Sequence, residues 1–347
     1  MKKYKQPSAV KTGVIGYGPG SNMGKVHLEQ MRCAGMSPTC VVELDPERRK
    51  IAGKEFPDIE LYDSVEKMLA SSDVNLVAVI TPHSTHYSIA RQCLLAGKHV
   101  VCEKPMALTT EDCDDLIHEA GARELFVTAY HNRHWDGIIL QAIQKVKHEH
   151  VIGDIVRIEL HPRVHYVVND SWRSNRKLSG GIAYDWGVHL LEAALQLVDG
   201  DLLEVSGYAH NGFRRTQTCW GDDVVEDDFQ LTARFSNDVW VTLSVSNIDC
   251  LPKRDERGLI EITGTTGTFV SEASGWRMLK QVNDQIVSEK GSNLPDQWQC
   301  FYDEVRDFLV KDITPAITPE WARRPVHILD LARRSIEGRH TLPAQYK

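Results

Sequence analysis

The chain has 347 residues, 42% hydrophobic and 25% charged, with a formal net charge of -8. That length supports two domains or one large one with an ample core. Without a basic run or stripe, nucleic acid is excluded as the expected partner; without a stretch near the roughly 18 apolar residues that cross a bilayer, so is a membrane. The polar, basic opening Met1 to Lys11 has no apolar core of a secretory leader. Eight scattered cysteines form no CxxC pair and read as reduced packing residues, so a cytoplasmic protein is expected.

From Lys11 to about Tyr130 short apolar runs alternate with helical stretches. Thr12-Gly13-Val14-Ile15 reads as a strand, followed by a Gly-rich turn and a helix through Val26, Leu28 and Met31. Cys40-Val41-Val42 is the next strand and ends in Glu43; Asp45-Pro46 opens a helix with Asp45 as N-cap. The nearly continuous apolar run Val74 to Ile80 predicts a strand buried on both faces, closed by Thr81-Pro82. A helix from Tyr87 to Leu95, a strand His99 to Cys102, a helix Thr110 to Gly121 and a strand Leu125 to Ala129 follow. This βαβαβ order predicts parallel strands with right-handed crossovers, a dinucleotide-type domain over residues 8–131.

Beyond His131 the texture changes. A helix near Ile138 to Val146 leads to alternating runs at Ile155 to Leu160, Leu202 to Tyr208, Asp228 to Phe235, Val239 to Val245 and Leu259 to Thr263. These predict a second α/β domain, 132–347, with an open, mostly antiparallel sheet. Gly264 to Thr268 reads as a hairpin turn. Trp298 to Glu337 reads as two helices split at Pro315–Pro319, able to pack back on the first domain.

A strand that ends in Gly16-x-Gly18 and enters a helix lets backbone amides approach a pyrophosphate. The spacing is irregular: the third glycine falls at Gly24, behind the inserted Pro19-Gly20-Ser21, so Gly16, Gly18, Gly20, Ser21, Asn22, Met23 and Gly24 form the candidate loop. A ligand-free tight turn reads the same way. Glu43, about 20 residues beyond Gly24, weighs against that reading: a carboxylate there accepts ribose hydroxyls and repels a 2′-phosphate. Leu44 follows it rather than arginine, which favours NAD over NADP.

Lys104, in Glu103-Lys104-Pro105, places an ammonium at the carboxyl edge of the sheet, where ligands bind in open α/β folds. Asp185 and His189 lie four apart in a helical pattern, so the carboxylate can orient the imidazole as a general base. A surface lysine and a satisfied core histidine are the plain alternatives. His161 and His165 flank Arg163 on a strand, without an acidic or cysteine partner at ligand spacing, so no metal is expected. His161, Arg163, Tyr166, Trp172 and Arg173 instead read as the polar and aromatic lining of a sugar pocket. The acidic run Asp222 to Asp228 lacks calcium-loop spacing and reads as a solvated loop.

Taken together, Gly13 to Gly18, Thr81-Pro82-His83-Ser84-Thr85-His86, Gly97 to Pro105, Ser179-Gly180-Gly181 running on to Asp185 and His189, and Ile262 to Gly267 give a pattern that resembles the Gfo/Idh/MocA oxidoreductases. The resemblance implies a Rossmann domain followed by an α/β domain whose open sheet mediates a homodimer or homotetramer. It also implies catalytic roles for Lys104, Asp185 and His189, and cofactor contacts at Thr81, Pro82, His86 and Glu103. The implied activity is hydride transfer between NAD and a sugar, polyol or sugar-derivative hydroxyl. A redox-neutral NAD-dependent glycosidase or lyase, working through transient sugar oxidation, and a non-catalytic cofactor-binding regulator are the alternatives.

Overall fold

The structure, a computed structural model, describes residues 4–18, 22–162, 168–248, 259–272 and 274–344. It divides into two compact units: Met1–Asn132 with Gln299–Arg323, and Arg133–Trp298 with Arg324–Lys347.

The first unit is built on β1 (Lys11–Ile15), α1 (Met23–Cys33), β2 (Ser37–Val42), α2 (Pro46–Glu55), β3 (Glu60–Tyr62), α3 (Val65–Ser71), β4 (Leu76–Val79), α4 (His86–Leu95), β5 (His99–Cys102), α5 (Thr110–Ala122) and β6 (Val127–Ala129). Six strands form one parallel sheet in the order β3-β2-β1-β4-β5-β6. Every residue of β4 and β5 is buried, as their unbroken apolar runs require in a sheet covered on both faces. A side chain at Gly13 would meet Cys40 Sγ at 2.4 Å, so the glycine is what lets β1 and β2 approach. Asp45 caps α2 by accepting from the Glu47 and Arg48 amides, with Pro46 in the first turn. β3 and α3 have no counterpart in the sequence reading.

The second unit opens with α6 (Gly137–Ala142), which widens into π-type turns over Ile143–His148, and β7 (Ile155–His161). Three helices follow, α7 (Arg176–Ser179), α8 (Ile182–Asp185) and α9 (Gly187–Leu197). The remaining strands are β8 (Leu202–His210), β9 (Asp228–Phe235), β10 (Trp240–Ser246), β11 (Leu259–Gly264), β12 (Gly267–Glu272), β13 (Gly275–Val282) and β14 (Gln285–Gly291). Helices α10 (Cys300–Lys311) and α11 (Pro319–Gly338) and strand β15 (Leu342–Pro343) end the chain, with α10 in the first unit.

The nine strands of the second unit run β14-β13-β12-β11-β7-β10-β9-β8-β15. All pairs are antiparallel except β7 with β10, which run parallel, so the sheet is mixed and mostly antiparallel, as the alternating runs predict. The crossover from β7 carries α7, α8 and α9, which is what a parallel return needs. β9 alternates as half-buried strands do, with Phe229, Leu231, Ala233 and Phe235 inside. These face Val241, Leu243 and Val245 of β10 in register. Almost all of α9 is buried; a side chain at Gly187 would meet Leu243 Cδ2 at 2.6 Å, so α9 sits directly on β10.

Candidate active site

In the first unit the chain reverses its winding between β1 and β4, and the carboxyl ends of β1, β2, β4 and β5 carry Gly16, Glu43, Thr81 and Glu103-Lys104 along one edge. This is the crevice that open α/β sheets use for ligands. Gly16 has φ +103°, and a side chain there would lie 2.2 Å from the Ile80 carbonyl oxygen; only glycine fits. Gly18 is exposed, with nothing within 4 Å of a would-be Cβ. A side chain at Gly24, in the first turn of α1, would meet Tyr17 Cδ2 at 2.6 Å and the Gly16 carbonyl oxygen at 2.9 Å. Gly24 therefore has the close-packing role despite the irregular spacing. Asn22 precedes α1 in the left-handed conformation, at φ 51°. Gly20 and Ser21, also expected in this loop, lie outside the described residues.

The loop is held from three sides. The Tyr17 amide donates to Glu43 Oε2 at 2.7 Å, the Tyr17 carbonyl accepts from Arg48 Nε at 3.2 Å, and the Tyr17 hydroxyl donates to Glu55. Burial and the Glu55 hydrogen bond push the Tyr17 phenol up. The other oxygen of Glu43 accepts from the Asp45 amide at 3.0 Å. The carboxylate that ends β2 is thus fixed in place, with lone pairs left for a ribose hydroxyl. Leu44, not arginine, directly follows Glu43, yet α2 brings Arg49 to the Glu43 and Leu44 carbonyls.

Thr81 and Pro82 close β4. The Thr85 hydroxyl donates within this turn, 2.7 Å from the Pro82 carbonyl oxygen. His86 is fully buried and joins two loops, Nε2 lying 2.8 Å from the Thr81 carbonyl oxygen and Nδ1 2.7 Å from that of Pro105. Burial depresses its pKa, against the two carbonyls, which favour the charged ring. Lys104 follows β5 through a cis bond to Pro105, and its amide donates to Glu103 Oε2 at 3.0 Å. The other Glu103 oxygen faces His27 Nε2 at 3.1 Å. Burial alone would raise the Glu103 carboxyl, but the His27 hydrogen bond and the charges of His27, Lys104 and His86 hold it below the ordinary range.

Two partners here were not found from the sequence. His27 hydrogen-bonds through Nδ1 to the Tyr302 hydroxyl and lies against the Tyr130 ring, centroids 4.2 Å apart. His27 occupies the buried face of α1 with Gly24, Leu28 and Met31, so the available signal was a lone histidine in an apolar stripe. Tyr302, 275 residues away on α10, left no local signal.

In the second unit Gly180 (φ +87°) and Gly181 (φ +117°) turn the chain into α8. Half-buried Glu226 accepts from the Ile182 amide at 2.9 Å, and desolvation raises its pKa. A side chain at Gly181 would sit 2.7 Å from that carboxylate. Asp185 and His189 do not share one helix as expected: α8 ends at Asp185, α9 starts at Gly187, and Trp186 (φ -98°, ψ -34°) stands between. The break is pinned by the Trp186 ring, which lies 4.7 Å under the Arg133 guanidinium. Arg133 is in turn paired with Asp136 at 3.0 Å.

Asp185 Oδ2 is 3.8 Å from Arg173 Nε, and Arg173 stacks over Trp172 at 4.6 Å. His189 is buried in the first turn of α9, its ring centroid 6.2 Å from that of Trp186. The structure therefore brings Trp172, Arg173 and Asp185 together, and Trp186 with His189. His161 shares the outward face of β7 with Arg157 and Glu159, whereas Leu160 faces inward beside Leu243 under α9. Arg163, His165 and Tyr166 lie outside the described residues. Among the described residues no three His, Cys, Asp or Glu side chains gather as a metal site, and no helix is long and apolar enough to cross a membrane.

Residues 10–131 match the model of the oxidoreductase family with an NAD-binding Rossmann fold, and residues 140–270 match the GFO/IDH/MocA C-terminal domain. A 143-residue stretch is 34% identical to an uncharacterized oxidoreductase of Schizosaccharomyces pombe, covering 41% of this chain and 38% of that protein. A 198-residue stretch is 29% identical to the scyllo-inositol 2-dehydrogenase (NADP(+)) of Bacillus subtilis, covering 57% and 54%. The chain spans about half the length, or less, of these curated relatives. Levoglucosan dehydrogenase in complex with NADH and levoglucosan has the same fold, with a TM-score of 0.81 at 18% identity over 96% of this chain and 99% of that one. An NAD-binding protein from Listeria innocua gives 0.79 at 24% identity over 98% and 97%. With both of its domains matched, the chain belongs to the Gfo/Idh/MocA family of NAD(P)-dependent oxidoreductases.

Proposed function

We propose that the protein oxidises a hydroxyl group of a sugar, polyol or sugar derivative with NAD as its cofactor. The observation that carries this reading is the edge of the first sheet, where Gly16, Glu43, Thr81 and Lys104 end four neighbouring or near-neighbouring strands. The glycine geometry fits a dinucleotide: Gly18 leaves its backbone open, while Gly16 and Gly24 let the loop pack against Ile80 and Tyr17 where a Cβ would clash. When bound, NAD supplies the acceptor for a carbon-bound hydrogen leaving as hydride.

The chain's own groups handle the proton and the charge. His189 takes the proton of the reacting hydroxyl, and Asp185 holds that imidazole in orientation and supports the positive charge it gains. The Lys104 ammonium stabilises the negative charge that grows on the reacting oxygen. Trp172 and Arg173 border Asp185 and supply stacking and hydrogen-bonding surface for a polyhydroxylated ligand. The named activities of the inositol and levoglucosan dehydrogenases support this substrate class. The reading includes a cytoplasmic homodimer or homotetramer.

A panel of sugars, polyols and glycosides, assayed with NAD and NADP while NADH absorbance and products are followed together, tests it. Net NADH with an oxidised product is the expected result. Cleavage of a glycoside without net NADH would replace the reading by a redox-neutral lyase, and cofactor binding without turnover across the panel would replace it by a regulator. A second expectation concerns cofactor choice. Glu43→Ser removes a fixed negative charge where a 2′-phosphate would sit, so the ratio of kcat/KM with NAD to that with NADP should fall on the order of 10- to 100-fold. An unchanged ratio would remove Glu43 from cofactor selection.

A further inference from the structure

Only part of the acidic run Asp222 to Asp228 stays in water, although its composition reads as a solvated loop. Asp227 is fully buried, and its two oxygens accept from the Phe213 amide at 2.8 Å and the Arg214 amide at 3.1 Å. The backbone around Glu226 is held on both sides. The Val225 amide donates to the Ser174 carbonyl at 3.0 Å, and Asn247 Nδ2 donates to the Glu226 carbonyl at 3.1 Å. From that fixed base the Glu226 side chain crosses to the start of α8, 44 residues away in sequence.

Helix α8 is one turn long, with Ile182 first and Asp185 last. So short a helix makes few hydrogen bonds of its own, and its leading amides need acceptors from outside. Gly181, which precedes it, has no side chain to cap it. Glu226 Oε2 takes that place, 2.9 Å from the Ile182 amide. The missing side chain of Gly181 makes the room, since a Cβ there would lie 2.7 Å from Oε2 and 3.0 Å from Oε1. The bond is indifferent to the charge of the carboxyl: its carbonyl-type oxygen accepts from an amide whether the group is ionised or protonated. At the other end Trp186 lies under the Arg133 guanidinium, so the turn is pinned at both ends.

We propose that Glu226 is a positioning residue for Asp185: its oxygen caps α8 at Ile182 and so fixes the single turn that ends in Asp185. The positioning role rests on Asp185 acting in the proposed reaction, whereas the hold on α8 is read without any substrate. Three substitutions separate reach from charge. Glu226→Gln keeps an accepting oxygen at the same reach, Glu226→Asp keeps the carboxylate but on a shorter stem, and Glu226→Leu keeps neither.

The test is amide hydrogen exchange, followed by mass spectrometry in the peptide that carries Ile182 to Trp186, with the peptide of α9 as reference for the surrounding fold. Exchange in the α8 peptide is expected to rise at least about tenfold in Glu226→Asp and Glu226→Leu, with α9 unchanged. In Glu226→Gln it should stay within about threefold of wild type. Steady-state kinetics give the second readout: kcat should fall about 10- to 100-fold in the Asp and Leu variants, with KM for NAD within about threefold, and recover in Glu226→Gln. Glu226→Asp serves if Glu226→Leu does not fold. Wild-type exchange of α8 in the folded Asp and Leu variants overturns the proposal. Faster exchange with wild-type kcat overturns it too, as does a Gln variant that behaves like Leu. Asp185→Ala assayed in parallel separates the two ideas: full turnover there fails the role of Asp185 in the functional reading, while the exchange rates still decide whether Glu226 holds α8.

Discussion

Lys104→Ala is expected to lower kcat about 10²- to 10⁴-fold while NAD affinity stays within about threefold. The lysine follows β5 at the ligand edge of the sheet, and the hydrogen bond from its amide to Glu103 survives the substitution. What is lost is the ammonium, whose value lies in meeting charge that develops only as the hydroxyl proton leaves. The effect should therefore appear in kcat, not in cofactor binding. Lys104→Arg keeps the charge on a larger planar group and should recover the loss only in part. Steady-state kinetics with an NADH fluorescence titration check both outcomes. Wild-type turnover in Lys104→Ala would remove the residue from the chemistry.

His189→Ala should cost a similar factor, about 10²- to 10⁴-fold in kcat, with the fold retained. Retention is expected because α9 is anchored by Val188, Leu190, Leu191, Ala193, Ala194 and Leu195, and alanine is a good helix former. Added imidazole supplies the missing base in a site now enlarged by its own shape, so partial, saturable rescue is the expected signature. Circular dichroism and thermal melting separate this result from unfolding. Full turnover without imidazole would return His189 to the role of a core residue.

The sequence revealed best what repeats locally. β4 and β5 were legible because a strand buried on both faces must be apolar throughout, and the capped start of α2 because Asp45-Pro46 is a local signal. β3 was not, since Glu60 and Leu61 are exposed and only three residues pair. β14 was missed for the same reason: nearly all of it faces solvent, leaving no alternation to read. The single helix expected to join Asp185 and His189 was overread, because the Arg133 contact on Trp186 lies over 50 residues away in sequence. Long range also hid His27 from Tyr302 and Ile182 from Glu226. A periodicity marks which face is buried; it does not say which distant polar group waits there.

The C-terminal helix α10 has a consequence for how this protein is made. Tyr302, the partner of His27, and Ile317, whose carbonyl accepts from the buried Thr128 hydroxyl at 2.8 Å, belong to the first unit yet are synthesised after every strand of the second sheet except β15. At roughly 5–20 residues per second, the ribosome needs on the order of 10–35 s to travel from Asn132 to Tyr302. Through that interval His27 and Tyr130 lack the Tyr302 side chain that packs on both, and the first unit is completed only when α10 emerges.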